Sequence, residues 1–450
     1  MQIVIIGGGK IGGALVELLE RESHSVSVID SNPQTVANIE NQYDVMAYCG
    51  NGVNYQIQIE AGVPKADLVV ACMNSDESNM LCCMVAKKLG AKNTIARVRT
   101  PEYREQMLFM REELGLSMAI NPEFSTADEI YQMLRFPSAL SIETFSGGAE
   151  MIEVRLADNS PYIGKKLKDW AKAVKVKSLV SIVRRGDQVY IPDGEFALAA
   201  GDRITIVVTR HTSEKLFKSM GIFQKKSSYV MVIGGGRISQ YLSMMLLSSD
   251  IKVKIIEKDE ARCLELCEML PKADVVMGDG TNQDLLEEEG IDRVDGMVML
   301  TGMDEQNIIL SMFAKTRQVP KIITKINRHS FAQLAEQSGV ESVVTPREVS
   351  ANTIARFIRA LQNSMGSNVE RLYRLAGGQA EALEFVVRAD SPLIGIPLVD
   401  LKLKKDVLIG SIARNRIAFI PNGSDTIEAE DRVLVVTKAG FFRDLSEIVE

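Results

Sequence analysis

The chain is written twice. Residues 3–15 read IVIIGGGKIGGAL and residues 230–242 read VMVIGGGRISQYL, each an apolar run, a glycine turn and the start of a helix. With Gly7 aligned on Gly234, Asp30 falls on Glu257, 227 positions later. The register then continues. CGNGVN at 49–54 matches MGDGTN at 277–282, and residues 61–81 match 289–309, now 228 positions apart. INPE at 120–123 matches VTPR at 344–347 at an offset of 224, so the first copy carries about four extra residues near 104–112. Further on, ADNSPYIGKKLKD (157–169) is repeated as RADSPLIGIPLVD (388–400), and the stretch 190–208 as 419–437. A duplication of this period constrains the fold more than any single motif, because whatever one copy builds the other must build again.

Each copy divides in two. Its first part alternates strand and helix: strand 2–6, helix 10–22, strand 25–29, helix 33–40, strand 44–48, strand 67–72, helix 77–89 and strand 93–98, with a later helix 124–135 stopped before Pro137. Such alternation predicts an α/β fold, a Rossmann-like parallel sheet with helices on both faces. The stretch DLVVAC at 67–72 is almost wholly apolar, as a strand covered on both faces should be. The second part, about 150–222, carries short strands separated by RRGDQ, PDGE and AAGDR turns plus a short helix, which predicts a small α+β module. FPSAL and FSGG (136–140 and 145–148) mark the break inside the first copy, and GIFQKKSS (221–228) the linker between copies.

Gly7, Gly9 and Gly12 fit G-x-G-x-x-G directly after a strand and at the opening of a helix, and Asp30 ends the next strand. In that setting the pattern predicts a dinucleotide site. Gly7 permits the tight turn, Gly9 lets the backbone approach a pyrophosphate, and Gly12 lets helix and strand pack closely. Lys10 and Ile11 open the helix, whose N–H groups and partial positive charge favour phosphate. Asp30 is placed to accept from both ribose hydroxyls, which disfavours a 2′-phosphate. The second copy keeps Gly234, Gly236, Arg237, Ile238 and the acid Glu257, but has Ser239 where the first has Gly12. Ligands of such sheets bind at the carboxyl ends of the strands, which adds further candidates. These are Asn51, Gly52 and Val53 with Asp279, Gly280 and Thr281; Asn74, Asp76 and Glu77 with Thr301, Asp304 and Glu305; and Arg97 and Arg99 with Lys325. Asn79 and Asn307 either join them or pin the following helix, and the basic residues either reach a terminal phosphate or form surface ion pairs.

Composition narrows the classes of function. A net charge of −7 argues against a general nucleic-acid binder. No apolar run approaches the roughly 18 residues of a membrane span, and the chain leads straight from Met1 into a strand with no signal peptide. Six cysteines, none in a C-x-x-C pair, and three histidines make a metal site unexpected; the cysteines read as free buried thiols, with Cys263 and Cys267 four residues apart on a helix. A dehydrogenase needs a proton donor near the nicotinamide. Tyr162 and Lys166 have Y-x-x-x-K spacing, but they lie in the small module and their repeat partners are Leu393 and Pro397, so the pair is incidental. No catalytic residue is assigned, and the chain reads as a non-enzyme.

The order of glycine turn, Asp30, GNGVN, NSDESNM and then SPYIGKKLKD…PDGE…GDR resembles the RCK/KTN family, cytosolic regulators of potassium channels and transporters, over essentially the whole chain, including GDGTN at 278–282. The resemblance implies four domains: RCK-N at 1–140, RCK-C at 141–225, RCK-N at 226–368 and RCK-C at 369–450. It implies NAD(H) as ligand, with ATP or ADP as alternatives, and conformational control of a Trk-type integral-membrane potassium-translocating subunit of the TrkH/TrkG kind. It also implies a homo-oligomer, a tetrameric ring, held at the cytoplasmic face of the cell membrane through that partner. In related regulators the helices at 130–136 and 354–361 cross to a neighbouring fold; packing within their own half is the alternative. A nucleotide sensor for another channel or exchanger is a second functional reading, and an NAD-dependent oxidoreductase a third. Of the two sites, the first is expected to bind nucleotide more tightly, with the Asp30 carboxylate exposed in the cleft.

Overall fold

The computed structural model describes residues 1–450 apart from 23, 101–102, 104–113, 137, 223–226, 341, 365–368, 377–378, 439–441 and 443. The extra residues anticipated near 104–112 lie outside the described residues, as does the middle of the 221–228 linker.

In each half, six parallel strands form one sheet. In the first, the strand Gln2–Ile6 lies between Ser25–Asp30 and Leu68–Ala71, with Met46–Cys49 on one flank and Asn93–Arg97 then Met118–Ile120 on the other. In the second half, Tyr229–Ile233 is central, and Asp274–Met277, Lys252–Glu257, Gly296–Met299, Lys321–Lys325 and Ser342–Val344 repeat the same order. The central strands are apolar because helices cover both faces: Leu68–Ala71 and Gly296–Met299 are buried at every position. Local signals set the helix ends. Asn32 caps Pro33–Gln42, Ser75 caps Asp76–Leu89, and Gly90 at φ 117° ends the latter. The expected helices and strands stand within about two residues of their anticipated bounds; the short outer strand Met118–Ile120 was not anticipated.

Each parallel unit is followed by a five-stranded antiparallel sheet. The first has the order Gln188–Tyr190, Leu179–Arg185, Arg203–Thr209, Ala149–Arg155, Ser141–Thr144, and the second is built from Val369–Leu375, Ala380–Val386, Arg432–Thr437, Val407–Arg414 and Ile417–Phe419. The two small sheets share a core that includes Phe145, Met151 and Val207 from one and Tyr373, Ala382 and Val436 from the other. Phe145 and Tyr373 pack with ring centroids 4.4 Å apart and planes tilted by 57°, and the Tyr373 hydroxyl donates to the Thr144 carbonyl. The buried Glu384 carboxylate accepts from the Ser146 N–H and hydroxyl.

The halves are tied more deeply by an exchange of helices. The helix Pro122–Arg135 leaves the first half and buries Ala127, Ile130, Met133 and Leu134 in the second half's core, against Val230, Val232, Leu242 and Leu246. The helix Pro346–Ser364 returns the exchange, placing Ala351, Ile354, Ala355 and Ile358 among Ile3, Ile5, Leu15 and Leu19. Packing within one half is thereby replaced: each parallel sheet is completed on one face by the other half's helix. At about 1.5–3 kcal/mol for each fully buried large aliphatic side chain, neither half keeps its core without the other.

Candidate functional site

The exchange brings the two glycine turns face to face. In the first, Gly7 sits at φ +104°, where an added Cβ would lie 3.0 Å from the Cys72 and Met73 backbone. At Gly12 a Cβ would fall 1.9 Å from the Gly7 carbonyl oxygen, so helix and turn are in contact there. A Cβ at Gly9 would meet no protein atom within 4 Å, so packing does not demand glycine at that position, and its backbone stands open to the space in front of the turn. Gly9 caps the helix Lys10–Arg21 with no side-chain hydrogen bond and no acid in the first turn, which leaves the N-terminal N–H groups directed outward for an anion. Gly234, at φ +98°, Gly236 and the helix Arg237–Ser248 repeat this arrangement.

Between the turns lies one cleft of about 640 Å³. The first half contributes Gly9, Lys10, Ile11, Cys72, Asn74, Arg97, Pro122 and Glu123; the second contributes Gly236, Arg237, Ile238, Ser239, Leu300, Lys325, Asn327, Pro346 and Arg347. Five of these residues are cationic and one, Glu123, is acidic. Glu123 pairs with the Arg97 guanidinium at 3.4 Å. The Arg97 and Arg347 Nε atoms and Glu123 Oε2 are buried with no hydrogen-bond partner. Burial pushes the Lys325 ammonium below the ordinary lysine range, and Lys10 from the other half pushes the same way, against the opposing pull of Asp304 and Glu123. Cations held partly out of water and close to one another favour a polyanion between the halves.

Ten of the residues anticipated from sequence therefore line the cleft: Gly9, Lys10, Ile11, Asn74, Arg97, Gly236, Arg237, Ile238, Ser239 and Lys325. Others hold the scaffold. The Asp30 carboxylate is half-buried rather than exposed: one oxygen accepts from the Gly8 N–H at 2.7 Å and the other from the Asn32 N–H at 2.8 Å. Glu257 does the same for Gly235, Lys258 and Asp259, so both acids shape the turn beside them. Gly52 and Gly280 are packing glycines, since a Cβ would stand 2.1 and 2.4 Å from Ile6 and Ile233 respectively. Asn51 accepts from the Val53 N–H, and Asp279 from the Thr281 N–H and hydroxyl. Burial opposes ionisation of Asp76, yet the Thr100 hydroxyl, the Thr100 and Arg99 N–H groups and the Arg99 guanidinium outweigh it and hold its carboxyl low. Asp304 repeats this with Asn327 and Arg328. Glu77 accepts from Ser75 and Tyr103, Glu305 pairs with Arg328, and the Thr301 hydroxyl donates to Asn307. Asn79 and Asn307 are wholly buried pins, each donating to a carbonyl at the end of the fifth strand, Arg97 and Lys325 respectively.

Sequence reasoning missed Glu123 and Arg347. They are repeat equivalents, as INPE on VTPR shows, and each follows the proline that opens an exchanged helix. The Tyr162 ring is buried with its hydroxyl donating to the Ser219 carbonyl, while Lys166 pairs with Glu195, so the Y-x-x-x-K spacing assembles no joint site. All six cysteines are free thiols, but Cys49 and Cys267 are exposed rather than buried.

Comparison with known proteins agrees with this division. The TrkA-N domain model matches residues 3–122 and 230–346, and the TrkA-C domain model matches 151–221 and 382–449. The chain belongs to the TrkA family. A Trk system potassium uptake protein TrkA homolog of Archaeoglobus fulgidus is 34% identical over 450 residues, covering all of both chains. A homolog from Methanosarcina mazei is 32% identical over 98% of each chain, and TrkA of Halomonas elongata is 29% identical over 97% of this chain and 95% of its own. Among solved structures, the GsuK channel bound to NAD superposes with a TM-score of 0.63 over 97% of this chain and 77% of that one, at 19% identity, a likeness of fold. Among the described residues no helix is long and apolar enough to cross a membrane.

Proposed function

We propose that this chain is the nucleotide-sensing regulatory subunit of a Trk-type potassium uptake system. In this reading it binds NAD(H), or ATP and ADP in its place, at the facing turns, and passes the difference between ligands to an integral-membrane potassium-translocating partner. The observation that carries the reading is the shared cleft: two uncapped glycine-led helix N-termini aimed at one space, with Lys10, Arg97, Arg237, Lys325 and Arg347 around it. Dinucleotide and triphosphate share an adenosine and differ beyond it. A cleft bounded by two halves converts that difference into a change of spacing, because a ligand shifts an equilibrium only by its differential affinity for the two states. The names of the relatives and the NAD- and ADP-bound GsuK structures support the choice of system and ligands. No catalytic step is invoked.

The subunit works as a ring of four copies at the cytoplasmic face of the membrane. Leu81 and Met84 on one half, and their repeat equivalents Ile309 and Met312 on the other, are 42–64% exposed apolar side chains on corresponding helices, suited to burial against further copies. Calorimetric titration with NADH and ATP, combined with small-angle scattering, tests the proposal. Binding of both nucleotides with different assembly shapes is expected. Identical shapes with either ligand and with none would overturn the switch, and a monomer near 50 kDa at micromolar concentration would overturn the ring.

A further inference from the structure

Apart from the nucleotide cleft, a cavity of about 280 Å³ opens where both exchanged helices meet the two small sheets. The helix Pro122–Arg135 lends it Asp128 and Glu129, the strand Ser141–Thr144 lends Glu143, and the strand Ala149–Arg155 lends Glu150. Among the described residues Arg210 is the one cation that lines it. Glu150 is 3% exposed, and its Oε2 is buried with no hydrogen-bond partner. The Arg210 Nε stands 3.9 Å from the other oxygen, on a side chain that is 58% exposed. Burial pushes the Glu150 carboxyl above the ordinary range, against the pull of the Ser213 hydroxyl, Arg210, Arg135 and His211. A buried carboxylate oxygen left without a partner carries a desolvation cost that a cation in the cavity would offset.

Comparison of the two copies shows that the fold does not set the charge of this wall. The exchanged helices open at equivalent prolines, so Asp128 is matched by Asn352, and strand register matches Glu143 with Tyr373. All four residues line the same cavity, which therefore lies astride the repeat with its acids on the first half's side and neutral groups on the second's. The counterpart of Glu150, Glu381, is also an acid, but it is only half-buried and does not line the cavity. Glu129 and Glu143 have contacts of their own and add only to the negative field. Among the described residues no three acidic, histidine or cysteine side chains stand close enough to hold a metal ion. Carboxylates spread along a wall that Phe124, Phe136 and Tyr373 complete suit an alkylammonium instead, with oxygens for its charge and rings for its methylenes.

We propose that this cavity binds a short aliphatic diamine, its ammonium groups shared between Glu150 and Asp128, and that the bound cation ties the exchanged helices to the small sheets. The site is separate from the nucleotide cleft and needs no nucleotide to fill.

Hydrogen exchange on the full chain without nucleotide reads the cavity locally, with putrescine, butane-1,4-diol and magnesium chloride as separate millimolar probes at constant ionic strength. Putrescine should slow exchange at 141–144 and 149–155, and the diol and magnesium should not. Asp128→Asn, which copies the second half, should raise the putrescine concentration needed about tenfold, and Glu150→Gln at least as much. No protection with putrescine, equal protection with the diol or with magnesium, or protection undiminished in both variants would each overturn the proposal. Asp128→Asn alone decides if Glu150→Gln does not fold.

Discussion

The two halves share a backbone plan but not a charge plan. At the first residue after the helix-opening proline the first half has Glu123 and the second Arg347, and both face the same cleft. Arg97 is therefore partly neutralised by a direct pair with Glu123, whereas its counterpart Lys325 donates to the neutral Leu300 carbonyl and feels Asp304 and Glu123 against Lys10 at longer range. The turns differ as well: Gly12 touches the turn behind it, while Ser239 is fully buried with its hydroxyl lacking a partner. Duplication preserved what the sheet needs while the charges around the cleft diverged, so the two halves line it unequally.

The exchanged helices give the largest expected effects. Ile354→Ala and Ile130→Ala each remove a wholly buried side chain and should each cost roughly 2–5 kcal/mol. The effect should cross over: Ile354→Ala speeds hydrogen exchange in Gln2–Ile6, and Ile130→Ala in Tyr229–Ile233. Loss of protection confined to the mutated half would break the exchange.

The turns come next. Gly12→Ser forces a side chain into the Gly7 carbonyl and should destabilise the first half by roughly 1–3 kcal/mol. Ser239→Ala, by contrast, removes an unsatisfied hydroxyl and should be neutral or stabilising in thermal denaturation. Equal penalties for the two changes would mean that the turns are alike after all.

Charge at the cleft is expected to act on affinity rather than stability. Arg347→Gln should weaken ATP binding about tenfold, while Glu123→Gln, which frees Arg97, should strengthen it several-fold. Calorimetry on both variants sharpens the comparison; changes of the same sign would refute the unequal charge plan.

The smallest effect is a pH dependence centred on Lys325. Burial, reinforced by Lys10, sets its folded pKa below the ordinary lysine value of 10.5. The unfolded chain therefore binds more protons between those two values, and stability rises with pH across that window. Affinity for ATP should fall over the same window as the ammonium is lost. Lys325→Met should flatten both slopes in melts and titrations across that window; unchanged slopes would remove Lys325 from the cleft's electrostatics.

Much of this was legible in the chain. Turn residues, strand ends and caps are local, so Gly7, Gly9 and Gly12 announced the first glycine turn, and the repeat announced the second. Asp30 and Asp76 show the limit. A carboxylate at a strand end or helix start reads the same whether it meets a ribose or a backbone N–H, and here each already holds backbone N–H groups. Arg347 escaped because its repeat partner has the opposite sign, and nothing in the one-dimensional pattern says that residue 347 faces residue 97.

The sequence by itself determined the duplication, the alternation of strand and helix, the glycine turns and the apolar faces at Ile130–Leu134 and Ile354–Ile358, because each depends on neighbours within a few positions. The tertiary structure alone decided which core those faces enter. An apolar stripe of helical period specifies only that it must be buried, and either half offers a surface of the same chemistry; the path of the chain after residues 120 and 344 selects the partner. The shared cleft follows from that choice, since only exchange places the turn at Gly9 opposite the turn at Gly236 and gathers five cations from segments more than 300 residues apart at the extremes.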